Sequence, residues 1–133
     1  MPATIGAECE FRVGEPTVLE SSSPSQPVAA VFEDDGDTGY FYALELDDRE
    51  NPIRDALAIY NVDQVVDRDT PSVVQIVWSS DGLKAGLIVN RHPHAVLDFA
   101  ARHAVCRTGF AVPDESHGWS GHDWDDAAVG LLV

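Results

Sequence analysis

The chain has 133 residues, 44% of them hydrophobic, and 23 acidic against 8 basic side chains give a formal net charge of -15. This length suits one compact domain, and the apolar content is too high for a disordered chain. The negative field repels phosphate backbones and anionic lipids, so we expect no nucleic-acid or membrane binding and favour a basic protein as partner. Solubility, a salt-adapted host or a biased genome explains the same charge as well as a basic partner does.

The chain has no basic start followed by an apolar core, and no apolar run approaches the roughly 20 residues of a membrane helix. Cys9 and Cys106 lie far apart without a C-x-x-C spacing, so two reduced thiols are expected. These features predict a cytoplasmic protein.

Residues 1–27 are predicted to be a loosely attached N-terminal arm and loop of the same domain as the rest. "SSSPSQP" is a loop by composition, and "TVLE" before it is a possible short strand. Residues 28–133 are predicted to form a single α+β domain.

Strand patterns begin at Val28. Tyr40, Tyr42 and Leu44 alternate with Phe41 and Ala43, which is typical of a strand with two different faces. The segment "DALAIYNV" fits a strand or a short helix, and its β-branched and aromatic residues favour the strand.

Four acids and two glycines stand in "VFEDDGDTGYFYAL" between two apolar runs. Counted from Glu33 as a calcium loop, Thr38 occupies the required glycine position and Leu44 the position of the bidentate glutamate. Two required features are therefore missing, and we interpret the segment as a hairpin turn without a metal.

Asp81-Gly82 in "SVVQIVWSSDGLKAGLIVN" predicts a hairpin with a type I′ turn. The register then pairs one wholly apolar set of side chains across the two strands: Trp78 with Ala85, Ile76 with Leu87, and Val74 with Val89. The opposite face is half apolar, so we expect a sheet that is covered fully on one side and partly on the other.

A helix over residues 93–102 is predicted from "RHPHAVLDFAARH", with Pro93 in its first turn. Its core-facing stripe comprises Val96, Phe99, Ala100 and His103. The fold class is therefore α+β: a mainly antiparallel sheet of five or six strands with this one principal helix packed on a face.

The candidate catalytic and metal-binding motifs of this sequence each lack a required residue or geometry. On a regular helix His92 and His94 point in nearly opposite directions, so they can share a metal only if the first turn of the helix frays. "GWSGH" has His122 where a nucleophile elbow needs its last glycine, and no phosphate-binding glycine loop occurs. We predict no catalytic residues, no metal site and no cofactor, and we favour a non-enzymatic protein.

The C-terminal segment "HGWSGHDWDD" combines aromatic and acidic residues, the composition of a hot spot for a basic partner. Our candidate partner-binding residues are Trp119, His122, Asp123, Trp124 and Asp125. The tryptophans fit equally well as a seal for the end of the sheet. His117 and the acids around His122 are a further metal candidate, set against a capping role. The alternative function is a small-molecule-binding protein or enzyme with a pocket near Cys106 and this segment.

Four blocks, "FEDDGDTGYFYAL", "DALAIYNV", "VWSSDGLKAGLIVN" and "HAVLDFAARHAVCRTGF", resemble the bacterial family called domain of unknown function 2251. The resemblance runs from about Val28 to Trp124 and implies a small bacterial protein, without transferring an active site. Small acidic bacterial proteins of one domain include immunity proteins that neutralise basic toxins, and this analogy supports the basic partner.

Overall fold

The computed structural model describes residues 4–47, 50, 53–65, 69–100 and 103–106. These ranges contain nine strands and one 3-10 turn, Val62–Gln64. The strands are β1 (Thr4–Phe11), β2 (Thr17–Ser22), β3 (Val28–Asp34), β4 (Thr38–Glu45), β5 (Ile53–Asn61), β6 (Ser72–Trp78), β7 (Lys84–Val89), β8 (His92–Asp98) and β9 (His103–Cys106). Within the described ranges, no helix is long and apolar enough to cross a membrane.

All neighbouring strands pair antiparallel, in two sheets. The first sheet has the order β1-β6-β7-β8-β9, and the second has the order β2-β3-β4-β5. Their inner faces share one core, as in a β-sandwich. The largest fully buried apolar side chains come from both sheets: Phe32, Phe41, Leu57, Ile59, Val74, Ile76, Trp78, Leu87, Val96 and Leu97.

The predicted α+β class and the principal helix over 93–102 are wrong, because β8 occupies most of that segment and the described chain contains no α-helix. Ala95, Val96 and Leu97 are all at most 1% exposed. Three consecutive buried residues suit a strand covered on both faces, whereas a helix on a sheet buries only one stripe. The helical spacing of Val96 and Phe99 was therefore a coincidence within a continuous apolar run.

Pro93 lies in β8 at a point where the ladder is already irregular. The register with β7 shifts between Leu87 and Ile88, next to the pair Ile88–Pro93. The described pairs with β9 begin only at Ala95. An interrupted ladder is where a strand tolerates proline, so this residue does not mark a helix start.

Strands β1 and β2 make residues 4–22 integral to the sandwich and not a loose attachment. β1 pairs with β6 from Thr4–Trp78 to Phe11–Ser72, and β2 pairs with β3. The Trp78 indole N–H also donates to Ser21 Oγ at 2.9 Å in the interior, which links the two sheets. The predicted "TVLE" strand lies within β2.

The β6–β7 register is confirmed: Val74 pairs with Val89, Ile76 with Leu87 and Trp78 with Ala85. The turn is different from the prediction, because Ser79 N–H donates to Lys84 O at 2.9 Å and leaves four residues in the loop. Only Gly82 among them has a positive φ, of 72°. Asn90 and Arg91, with φ of 51° and 69°, form the type I′ connection instead, between β7 and β8.

Asp34 is a buried carboxylate, 1% exposed, at the end of β3. It accepts hydrogen bonds from the amides of Gly14 and Gly36, both at 2.8 Å, and from the Tyr60 hydroxyl at 2.7 Å. These donors belong to the β1–β2 turn, the β3–β4 turn and β5. Asp34 therefore connects three segments that are distant in sequence.

Leu87→Ala should lower the free energy of unfolding by about 2–5 kcal/mol, because Leu87 is fully buried and its truncation leaves a cavity in the core. Val73→Ala on the neighbouring strand is the control, since Val73 is 39% exposed, and it should cost less than about 1 kcal/mol. Urea denaturation measures both variants. Equal destabilisation by the two substitutions would contradict the assigned inner face.

Ser79→Ala should raise the pKa of Asp81 from about 2 toward the ordinary aspartate range, as followed by carboxyl NMR. The Ser79 hydroxyl, which donates at 2.6 Å, is the largest cause of the low pKa, followed by the Leu83 amide. A carboxyl group whose pKa is lower in the folded than in the unfolded chain stabilises the fold at every pH above its unfolded pKa. This stabilisation is lost as the pH falls from about 4 to about 2.

Ser80→Ala is the matched control, because Ser80 is exposed and is not among the causes of the low Asp81 pKa. The pKa of Asp81 should stay low in that variant. An unchanged Asp81 pKa in Ser79→Ala would show that this hydrogen bond does not hold the turn.

Candidate functional site

The five residues singled out from the sequence, Trp119, His122, Asp123, Trp124 and Asp125, lie outside the described residues. His117 and the side chain of Cys106 lie outside them as well. The candidate sites below therefore come from the sandwich itself, where the strands place two surfaces with distinct chemistry.

The first surface is the outer face of the second sheet. Phe41 and Ala43 of β4 are buried in the core, so Tyr40 and Tyr42 must point to the opposite side. Cross-strand pairs extend this side over β3 and β2, since Glu33 lies opposite Tyr40 and Val18. We call this surface the tyrosine face; its members are Val18, Glu20, Val31, Glu33, Tyr40 and Tyr42.

The two tyrosines of this face are stacked, with ring centroids 5.8 Å apart and an interplanar angle of 16°. The Tyr42 hydroxyl donates to Glu33 Oε1 at 2.9 Å, which fixes the ring across the strand pair. Partial burial and then the Glu33 hydrogen bond and charge raise the pKa of Tyr42, so its hydroxyl stays protonated at neutral pH. The Glu33 carboxylate therefore lies beside the two stacked tyrosine rings.

Exposure distinguishes the tyrosine face from the core side of the same sheet. Val18 is 62% exposed, and Glu20 beside it on β2 is also exposed. Stacked aromatic rings bind a cation over their faces, and carboxylates accept charge-assisted hydrogen bonds from guanidinium groups. This combination can hold an arginine side chain of a partner.

The acidic segment is a hairpin turn between β3 and β4, as predicted. Asp35 Oδ1 accepts the amides of Asp37 and Thr38, both at 2.9 Å, and these bonds lower the pKa of Asp35. Gly36 adopts a φ of 101°, which explains the glycine at this position. Two of the four acids, Asp34 and Asp35, thus accept hydrogen bonds from backbone amides of this turn and of the β1–β2 turn.

The second surface is a cavity of about 410 Å³ at one end of the sandwich, between the two sheets. β1, β5, β6, β7 and β8 contribute walls to it, together with connecting residues. The described lining residues are Phe11, Val13, Ile59, Tyr60, Val65, Thr70, Ser72, Val89, Asn90, His92 and His94. A cavity of this size is in the usual range of small-molecule sites.

Both histidines in the lining belong to β8, which corrects the helical argument that separated them. The register shift in β8 interrupts the regular alternation between them, and His92 and His94 both line the same cavity. Within the described ranges, no group of three His, Cys, Asp or Glu residues is placed to hold a metal. The β8 residue Ala95 pairs with Cys106, so the backbone of that cysteine is close to the histidines.

Cys9 is a free cysteine on β1. Burial raises the pKa of its thiol, so the reactive thiolate is disfavoured. This residue is therefore no nucleophile candidate.

Sequence reasoning missed both surfaces for different reasons. The alternation in β4 is visible in the sequence, but alternation alone does not determine which face of a strand packs in the core. In this structure Tyr40 and Tyr42, the face with more aromatic residues, point outward. The cavity collects residues from Phe11 to His94, and no local pattern signals such an assembly.

Comparison with known proteins gives a match to a family model. The model for "Uncharacterized protein conserved in bacteria (DUF2251)" matches residues 11–133. A Haemophilus influenzae protein called "Uncharacterized protein" is 37% identical over 114 residues, which are 85% of this chain and 71% of that protein. No solved structure matches.

Calorimetric titration with calcium should show no binding tighter than about millimolar. The reason is that the buried Asp34 already accepts three hydrogen bonds through both of its oxygens, and Leu44 stands where a calcium loop needs its bidentate glutamate. A micromolar signal that Asp35→Asn abolishes would overturn this expectation.

Proposed function

The chain belongs to the conserved bacterial family DUF2251, and we propose that it acts without catalysis, by binding a basic protein through the tyrosine face. The partner presents arginine side chains, which stack on Tyr40 and Tyr42 and reach the carboxylates of Glu33 and Glu20. An immunity protein that neutralises a basic toxin acts in this way.

The observation that carries this proposal is the stacked pair of tyrosines beside a carboxylate on an outer sheet face. Tyrosine offers a large contact area with few rotatable bonds, so its ordering costs little entropy on binding. The Tyr42–Glu33 hydrogen bond holds this ring in place before a partner arrives. A preorganised aromatic and acidic patch is the chemistry that hot spots for arginine use.

The charge of the whole chain supports the same partner. A net charge of -15 attracts cationic proteins over a distance and accelerates encounter, while contacts within the patch control dissociation. Association should therefore slow markedly as salt shortens the Debye length from about 10 Å at 0.1 M to about 3 Å at 1 M.

Trp119, His122, Asp123, Trp124 and Asp125 belong to this proposal as further partner contacts, on the grounds of their sequence alone. Trp124→Ala should raise the dissociation rate, because it removes contact area. Asp125→Asn should mainly lower the association rate, because it removes attraction at a distance.

Deca-arginine and deca-lysine peptides of equal charge test the tyrosine face. We expect the intact protein to bind the arginine peptide at least about threefold tighter, since guanidinium groups stack on aromatic rings and pair with carboxylates in a bidentate manner. Tyr42→Ala should remove this preference. Surface plasmon resonance measures both affinities, and circular dichroism verifies that the variant is folded.

Glu33→Gln and Glu10→Gln form the matched control pair, because each removes one negative charge and only Glu33 lies on the tyrosine face. Glu33→Gln should weaken the arginine peptide more. The proposal is contradicted if the two substitutions have equal effects, or if the intact protein binds both peptides with equal affinity. Non-specific attraction by the net charge would then explain the binding.

A further inference from the structure

The cavity between the sheets has a mainly apolar interior. Ile59 is 1% exposed and Phe11 is 6% exposed, and Val13 and Val89 are partly buried against the same core. The cavity is thus an extension of the hydrophobic core that opens at the end of the sandwich. Apolar surface of this kind gains free energy when a ligand removes it from water.

None of the described residues that line the cavity is Asp, Glu, Lys or Arg. This is notable in a chain with 31 such residues, the sum of 23 acids and 8 bases. A carboxylate ligand would meet no Lys or Arg among these described lining residues and would be repelled by the net charge of -15. An ammonium ligand would meet no carboxylate among the described lining residues, so none of the described Asp, Glu, Lys or Arg side chains offsets the cost of burying either ion there.

The polar part of the lining is fixed by hydrogen bonds. Asn90 Oδ1 accepts from the Val73 amide at 2.9 Å, and Asn90 Nδ2 donates to Ser72 Oγ at 3.1 Å. The Tyr60 hydroxyl is held by Asp34 at 2.7 Å, so this tyrosine offers the cavity its ring. Thr70, His92 and His94 add hydroxyl and imidazole groups that can hydrogen-bond a neutral polar group.

We propose that this cavity binds an uncharged, mainly apolar small molecule with one hydrogen-bonding group, such as an alcohol. The apolar part lies against Phe11, Ile59 and Val89, and the polar group faces Thr70 and the β8 histidines. This site is separate from the tyrosine face and does not rest on the proposed protein partner. Its size and the absence of Asp, Glu, Lys and Arg from its described lining define the class of ligand.

Three probes with the same eight-carbon chain test the proposal: 1-octanol, octanoate and octylammonium, each titrated calorimetrically at pH 7 into the protein of 133 residues. We expect saturable 1:1 binding of octanol with a Kd on the order of 10–100 μM, as burial of such a chain gives. The two charged probes should bind at least about tenfold more weakly.

Val89→Phe should weaken octanol binding at least about tenfold, because the larger ring occupies part of the cavity. Val73→Phe makes the same change on β6 at an exposed position outside the lining, and it should leave the affinity within about twofold. Val13→Phe replaces the first variant if thermal unfolding shows that Val89→Phe does not fold.

The proposal is overturned if octanol shows no saturable binding below about 1 mM. It is also overturned if either charged probe binds as tightly as octanol, since the lining would then not select an uncharged ligand. If octanol bound Val89→Phe and Val73→Phe with equal affinity, its binding site would lie outside this cavity.

Discussion

The carboxylate of Asp34 is the constraint on which one whole end of the sandwich depends. A buried charge is costly unless donors surround it, and here two turn amides and the Tyr60 hydroxyl do so. Each donor lies on a different segment, so the charge is satisfied only when all three are in place. The same arrangement requires glycine at position 39, because a Cβ atom there would collide with the Tyr60 ring.

The cavity follows from this arrangement. With its hydroxyl held by Asp34, Tyr60 keeps its ring at the end of the core, 6.4 Å from the Phe32 ring, and provides one wall. The opposite wall comes from β7 and β8, which the Asn90-Arg91 turn joins. Asn90 also binds the start of β6 through its side chain, so the walls are held by hydrogen bonds and not by packing alone.

The tyrosine face has a different origin in the same sheet. Phe41 and Ala43 fill the core opposite Phe32 and Ala30, and the two-residue period of the strand then sends Tyr40 and Tyr42 outward. The protein therefore offers an acidic aromatic surface on the outside of one sheet and a mainly apolar cavity between the two. We propose a cationic macromolecule as the partner of the first and an uncharged small molecule as the ligand of the second.

The sequence alone determined the local features: the strands at β3, β4 and β5, the β6–β7 register and the turn at the acidic segment, because alternation and turn residues act over a few neighbours. Only the tertiary structure decided that "HAVLDF" is a strand, since Ala95, Val96 and Leu97 become buried together between β7 and β9. A short apolar run fits a helix or a strand equally well until its neighbours are known. The outward direction of Tyr40 and Tyr42, and the cavity that joins Phe11 to His94, depend likewise on contacts between distant segments.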